Sequence, residues 1–480
     1  MRWLLAVEFT SVVAFVGAAA WSVAAVPAPI PTIDAAALAA GATEETWTGV
    51  FVEQQHVGYA VARSAPTADG GTVYHQESMF RIQAMGNVER VVTAGTAVTN
   101  GKGELVSFDF LLSSPVRIIG RGEVKGTVIH LELDQAGDIQ SLDIPVNEPP
   151  QLSMTLAGVV RGRQLHPGDH LTVSYFDPIT LSNAPMDMIV DAPEPLATGE
   201  VGWWITTKFG AVETRKLIDE NGETLREESP MGFSAVRMTR AEALDVDAGD
   251  PPDMVAMVAV PVTGLTDGRT RTRVSLTISG VDPGKVPNEP PLQSVVGNTV
   301  TVSIPALTDL PNLPVIGEGD TEATLSLPAK NAEMVAKAKE IVGDAPTRLE
   351  AVRRLNTFVH DYVQKVPTIG VPNGLEVLHA ARGDCNEHTA LFVSLARAAG
   401  IPSRIAAGLV HSDRLGDAFY YHAWPEVRLG GPTDWVPVDP TFGEFPADAT
   451  HLKLVTGDLD RQVEIMGVMG RIHLDLVEAR

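Results

Sequence analysis

The chain has 480 residues, 44% of them hydrophobic, which is enough to build several packed cores. Sixty acidic residues against 36 basic ones give a net charge of -24, and no basic stripe interleaved with aromatics appears, so nucleic acid is set aside as a partner. A single cysteine, Cys385, excludes a disulfide framework within the chain.

In chain order, residues 1–26 read as a targeting segment. Arg2 supplies a positive start, Phe9 to Val26 is uncharged and largely apolar, and Val23-Ala24-Ala25 before Pro27 fits a small-residue cleavage site. The run over 9–26 is also long enough to serve as an uncleaved membrane tether. Either way the remainder is expected to be exported, to a periplasmic or extracellular location. Residues 27–42 are Pro- and Ala-rich and read as a linker.

From 43 to 250 short β-rich runs alternate with turn residues, and helical periodicity is nearly absent. Thr46 to Val52, Thr127 to Leu133 and Trp203 to Phe209 are examples. Asn100-Gly101 and Asn221-Gly222 read as type I′ hairpin turns, since that turn needs φ > 0 at both central positions. The expectation is a large antiparallel all-β domain, a meander or partial barrel, whose partner is unknown. Residues 251–330 read as a connecting β segment, with strands at Thr272–Ile278 and Asn298–Ile304.

The texture changes at Asn331. One helix is expected over 331–342 and a second over 347–365, where Val352, Leu355, Val359 and Tyr362 share a face. Then follow the Cys385 helix and strands at 404–410, 419–429, 435–438 and 472–477. Helices followed by an antiparallel sheet make residues 331–480 an α+β domain.

Asp384 is a favoured N-cap, and Glu387 three positions on completes a capping-box pattern. Cys385 then sits in the first turn, where unpaired N–H groups and the helix dipole favour a thiolate. The turn sequence Leu429-Gly430-Gly431-Pro432 sets Glu426 opposite Trp435, Trp424 opposite Pro437 and His422 opposite Asp439. A carboxylate there accepts from one imidazole nitrogen and leaves the other for the thiol. An oxyanion would be met by the Cys385 N–H and by a side-chain donor upstream, for which Asn373 is the nearest choice. A zinc set of Cys385, His388 and His422 is the rival reading. It is weakened by the single cysteine and by the lack of HExxH or paired CxxC spacing.

The stretches Gly383 to Phe392, Ala396 to Arg404, Tyr420 to Val427 and Trp435 to Gly443 resemble the bacterial transglutaminase-like superfamily over about residues 331–460. The segment Glu444 to His451 is similar to a subgroup of these proteins, with no chemistry assigned to it. The resemblance implies a papain-like α+β core with Cys385 as nucleophile, His422 as base and Asp439 as orienting residue. The chemistry expected of such a triad is thiol acyl transfer on amide bonds of a peptide or protein substrate, with hydrolysis expected over cross-linking and no cofactor or metal expected. The alternative is a catalytically silent scaffold or binding protein of the cell envelope.

Overall fold

The computed structural model describes residues 44–84, 87–114, 116–135, 138–210, 212–229, 232–304, 322–324, 326–366, 372–430, 435–457, 465 and 467–480. The expected targeting segment and linker, 1–26 and 27–42, and the Gly431-Pro432 half of the expected hairpin turn lie outside the described residues. Among the described residues no helix is long and apolar enough to cross a membrane. The chain divides into two units, one over 1–254 with 368–370, the other over 255–367 and 371–480.

The first unit is a large antiparallel all-β domain built on one 14-stranded sheet. Eight strands, from Glu44–Val52 to Asp138–Pro145, follow one another as a meander. Six more, from His170–Asp177 to Phe233–Met238, make a second meander. The two join where the first strand of one pairs with the last of the other, Trp47 opposite Met238. Side-chain alternation drives the local structure. In strand Val128–Gln135, Ile129, Leu131 and Leu133 are buried while His130 and Glu132 face solvent.

The turns differ from the expected type I′ form. Asn100 Oδ1 accepts the amides of Lys102 at 2.9 Å and Glu104 at 3.1 Å, and Gly103, not Gly101, takes the positive φ of 79°. Asp219 does the same for Asn221 and Glu223, with Gly222 at 78°. An Asn or Asp that can bond its own following amides closes a longer loop without two adjacent left-handed residues. The sequence pair Asn-Gly marks the hairpin, and the side chain of the first loop residue decides its form.

The second unit contains helices Ala332–Val342, Arg348–Tyr362, Gly374–Ala380 and Cys385–Ala398. Asn331, Thr347, Asn373 and Asp384 are their N-caps. Helix 348–362 stops three residues short of the expected end. Val363 turns extended, and Gln364–Lys365 pairs in parallel with Arg382–Gly383, just before the Asp384 cap of the Cys385 helix. Valines at 363 and 366 and Pro367 favour that extended exit. Helix 374–380 and strand Leu452–Thr456 have no counterpart in the sequence reading.

Two sheets complete the unit. In one, Ala418–Arg428 lies between Val260–Pro261 and Ser403–Ser412, Leu452–Thr456 follows the latter, and Trp435–Pro437 pairs off the 418–428 strand. In the other, Arg273–Ser279 lies between Thr299–Ser303 and the last strand, His473–Ala479. The strands of 251–330 therefore do not form a sheet of their own; the far end of the chain closes it. Helix 385–398 is buried almost all round, from Glu387 to Ala396, with Leu391, Phe392 and Leu395 in one core with Leu355, Val359 and Val436.

Candidate active site

Asp384 accepts the Asn386 amide at 2.8 Å, and the Glu387 carboxylate reaches back to the Asp384 amide at 2.9 Å. This is the expected capping box, and it places half-buried Cys385 at the first position of its helix. Gly383 is required there, because a Cβ on it would lie 2.2 Å from Glu387 Cβ. The helix start is fixed to the His422 strand. Thr389 Oγ1 donates to the Ala423 carbonyl at 3.1 Å.

The hairpin register differs from the expected one by two residues. Glu426 faces Pro437, Val427 faces Val436 and Arg428 faces Trp435, and the Val438 amide donates to Pro425 at 2.8 Å. Asp439 thus falls level with Trp424, diagonal to His422. A slip of two preserves the face because side chains alternate with period two, and diagonal neighbours remain within reach of an imidazole. His422 Nε2 donates to Asp439 Oδ2 at 2.8 Å. That bond uses Nε2 and not Nδ1. The imidazole stacks on Phe442, 4.9 Å between centroids, and lies parallel to Trp424 at 6.2 Å.

Asp439 has a second imidazole. His451 Nε2 donates to the same Oδ2 at 3.0 Å, and the Phe442 amide donates to Oδ1 at 3.0 Å. Burial opposes the Asp439 charge, but His422 and His451 outweigh it and hold the carboxyl well below the usual range. His451 Nδ1 faces the Asp448 carbonyl at 3.1 Å and its carboxylate at 3.3 Å. Arg269 Nε lies 3.0 Å from Asp448, and the same guanidinium pairs with Glu444 and covers the Phe442 ring. Burial works against His451 ionisation, yet the Asp439 and Asp448 contacts prevail and raise it to about 10. Asp448, buried beside His451 and Arg269, is lowered to about 2.

Cys385 departs from its expected ionisation. Burial, and then the negative charges of Asp384, Glu387 and Asp439, push the thiol well above its usual value; the Ala423 amide opposes this. The helix start alone favours a thiolate, but burial, with three carboxylates nearby, reverses the balance. His388, the zinc rival's second ligand, is buried and held down to about 4, with Nδ1 at 2.5 Å from the Asp384 carbonyl. Among the described residues, close groups of potential ligand atoms are His422, Asp439 and His451, and Glu444, Asp448 and His451; neither includes Cys385 or His388. Their close contacts pair imidazole donors with carboxylate acceptors, so we do not assign them as metal ligands. Asn373 spends its carbonyl oxygen on the amides of Leu375 and Glu376, as the cap of helix 374–380.

Cys385 stands at a helix start, and the adjoining strand carries His422 with its partner Asp439. Residues 335–440 match the transglutaminase-like superfamily, so the chain carries a domain of that superfamily in its C-terminal part. No curated protein matches the chain. Among solved structures, a β-barrel-like protein of a domain of unknown function from Brucella abortus has 10% identity and a TM-score of 0.34, covering 41% of this chain and 95% of its own. A candidate cysteine protease from Cytophaga hutchinsonii has 14% identity and a TM-score of 0.28, covering 44% and 85%. A protein of another uncharacterised family, from Pseudomonas aeruginosa, has 13% identity and a TM-score of 0.23, covering 36% and 90%. Likenesses this distant define neither an activity nor a substrate.

Proposed function

We propose that this is an exported cysteine-nucleophile enzyme with a papain-like α+β core, acting on amide bonds of a peptide or protein by acyl transfer, with water as the preferred acceptor. One observation carries the reading: Cys385 opens a helix that Thr389 Oγ1 bonds to the Ala423 carbonyl at 3.1 Å, and His422, the residue before Ala423, donates to Asp439 at 2.8 Å. Export is read from residues 1–26.

In the resting site the thiol keeps its proton. As sulfur attacks the amide carbonyl, His422 Nδ1 takes that proton, and Asp439 stabilises the imidazolium through Nε2. The Cys385 N–H, unpaired at the helix start, meets the oxyanion. His422 returns the proton to the leaving amine, and a thioester remains on Cys385. Water, deprotonated by His422, attacks the thioester; the acid leaves and the thiol regains its proton.

The test is incubation of the full chain with a library of peptide amides, with and without an added primary amine, followed by intact-mass measurement. The expected result is a Cys385 acyl adduct and acid product, both lost in Cys385→Ala and His422→Ala. A chain that forms neither adduct nor product is the silent scaffold. A product that carries the added amine moves the assignment to cross-linking.

A further inference from the structure

The proton count on His451 is set by its neighbours. Its Nε2 faces Asp439 Oδ2 at 3.0 Å; its Nδ1 faces the Asp448 carbonyl at 3.1 Å and Oδ1 at 3.3 Å. All three are acceptors when the carboxylates are ionised, so both ring nitrogens must carry hydrogen. Each carboxylate already meets other donors or cations. Asp439 accepts from His422, His451 and the Phe442 amide. Asp448 Oδ1 accepts the Thr450 amide at 2.7 Å and the Thr450 hydroxyl at 2.5 Å, and Arg269 stands at 3.0 Å from Oδ2. Glu444 pairs with Arg269. Across a small cavity, Lys453 and Glu426 also face His451, but they are paired to each other at 2.7 Å.

His451 is therefore a positive group on the same Asp439 oxygen that His422 meets. The two imidazoles lie 5.9 Å apart, close enough for a charge on one to oppose a charge on the other. We propose that His451 is a positioning residue acting through Asp439: a buried imidazolium that offsets the Asp439 charge, so that Asp439 draws less charge onto His422 and Cys385 keeps its proton until a substrate carbonyl arrives. The inference rests on the thiol acyl-transfer reading above. It turns Glu444 to His451 from a segment without chemistry into the part that sets when the nucleophile is active. The raised His451 ionisation and the raised Cys385 thiol agree with it.

The experiment follows Cys385 alkylation by iodoacetamide in the full chain, by intact mass, from about pH 5 to about pH 10. It compares wild type, His451→Gln and the double variant His451→Gln/His422→Ala. Gln offers Asp439 an N–H without a charge. Wild type is expected to label only along an alkaline limb. His451→Gln is expected to gain a second limb, with labelling at about pH 6 at least about tenfold faster, because Asp439 now favours an imidazolium at His422 and a thiolate beside it. That limb should vanish in the double variant. A His451→Gln profile that superimposes on wild type, with only the melting temperature changed, overturns the inference and leaves the acyl-transfer reading standing. A limb that persists without His422 overturns the His422 assignment itself. Should His451→Gln fail to fold, ¹⁵N-histidine spectra of wild type decide. An imidazole with both nitrogens protonated at about pH 8, retained in His422→Ala, supports the proposal; only neutral imidazoles at that pH overturn it.

Discussion

At the residue scale, burial and nearby charge both work against ionisation of the Cys385 thiol. The unmodified protein should resist thiol reagents near neutrality, a result that a mass spectrum after brief iodoacetamide treatment reads directly. The same residues give a pH signature in stability. A group whose pKa is raised on folding adds stability below its unfolded pKa and loses it as pH climbs through the folded value. His451, raised from 6.5 to about 10, therefore contributes fully below about pH 6.5 and nothing above about pH 10. Melting temperature should fall across that window, and less so in His451→Gln. Asp448 has the opposite sign: lowered from 3.8 to about 2, it loses its contribution as pH drops between those values. Part of this was legible in the sequence and part was not. Asp384, Cys385 and Glu387 are neighbours along the chain, so their geometry follows from capping alone. Arg269 and His451 reach the site through tertiary folding and the irregular segment after Asp439, which no periodicity announces. The three carboxylates that raise the thiol were visible, but their distance from sulfur was not.

At the element scale, the Cys385 helix and the His422 strand each depend on a few contacts. Asp384→Ala should cost roughly 1 kcal/mol of stability, the usual loss of a cap. Gly383→Ala should cost more, roughly 2–3 kcal/mol, because its Cβ would displace Glu387 and with it the back half of the capping box. Urea unfolding of the two variants gives the ranking. On the strand side, Lys453 is almost fully buried and donates to Glu426 at 2.7 Å and to Glu289 at 2.9 Å, while Arg404 donates to Glu426 at 2.7 Å. Lys453→Met removes one cation from two carboxylates and should cost roughly 3–5 kcal/mol, part of which Glu426→Gln restores in the double variant. The His422–Asp439 pair was found from sequence with the wrong register. It survived because an error of two residues leaves every side chain on its face, whereas an error of one would have lost it. Helix 374–380 was missed because seven residues hold too few apolar positions to show a period.

At the scale of the whole molecule, the two units differ in how local their contacts are. The first is made of meanders in which each strand pairs mainly with the next, so its β character is readable from alternation and turns. The second is closed by a distant partner. Strand His473–Ala479 pairs with Arg273–Ser279, placing Leu474 against the core that holds Val274, Leu276 and Ile278. Removal of residues 473–480 should expose that apolar row. Limited proteolysis should then cut the second unit at protease levels that leave the full chain intact, while fragments of the first unit persist.

The position of that strand also sets the order in which the protein can be made. Its partner leaves the ribosome about 200 residues earlier, and Cys385, His422 and Asp439 are all synthesised in between. Until 473–479 emerges, the sheet of Arg273–Ser279 keeps an open edge, and the core beneath it stays incomplete. Pairing at such separation is slow to form and costly to close. The nascent chain therefore carries its thiol through synthesis without a finished framework around it, and strand 473–479 completes the fold that holds the site.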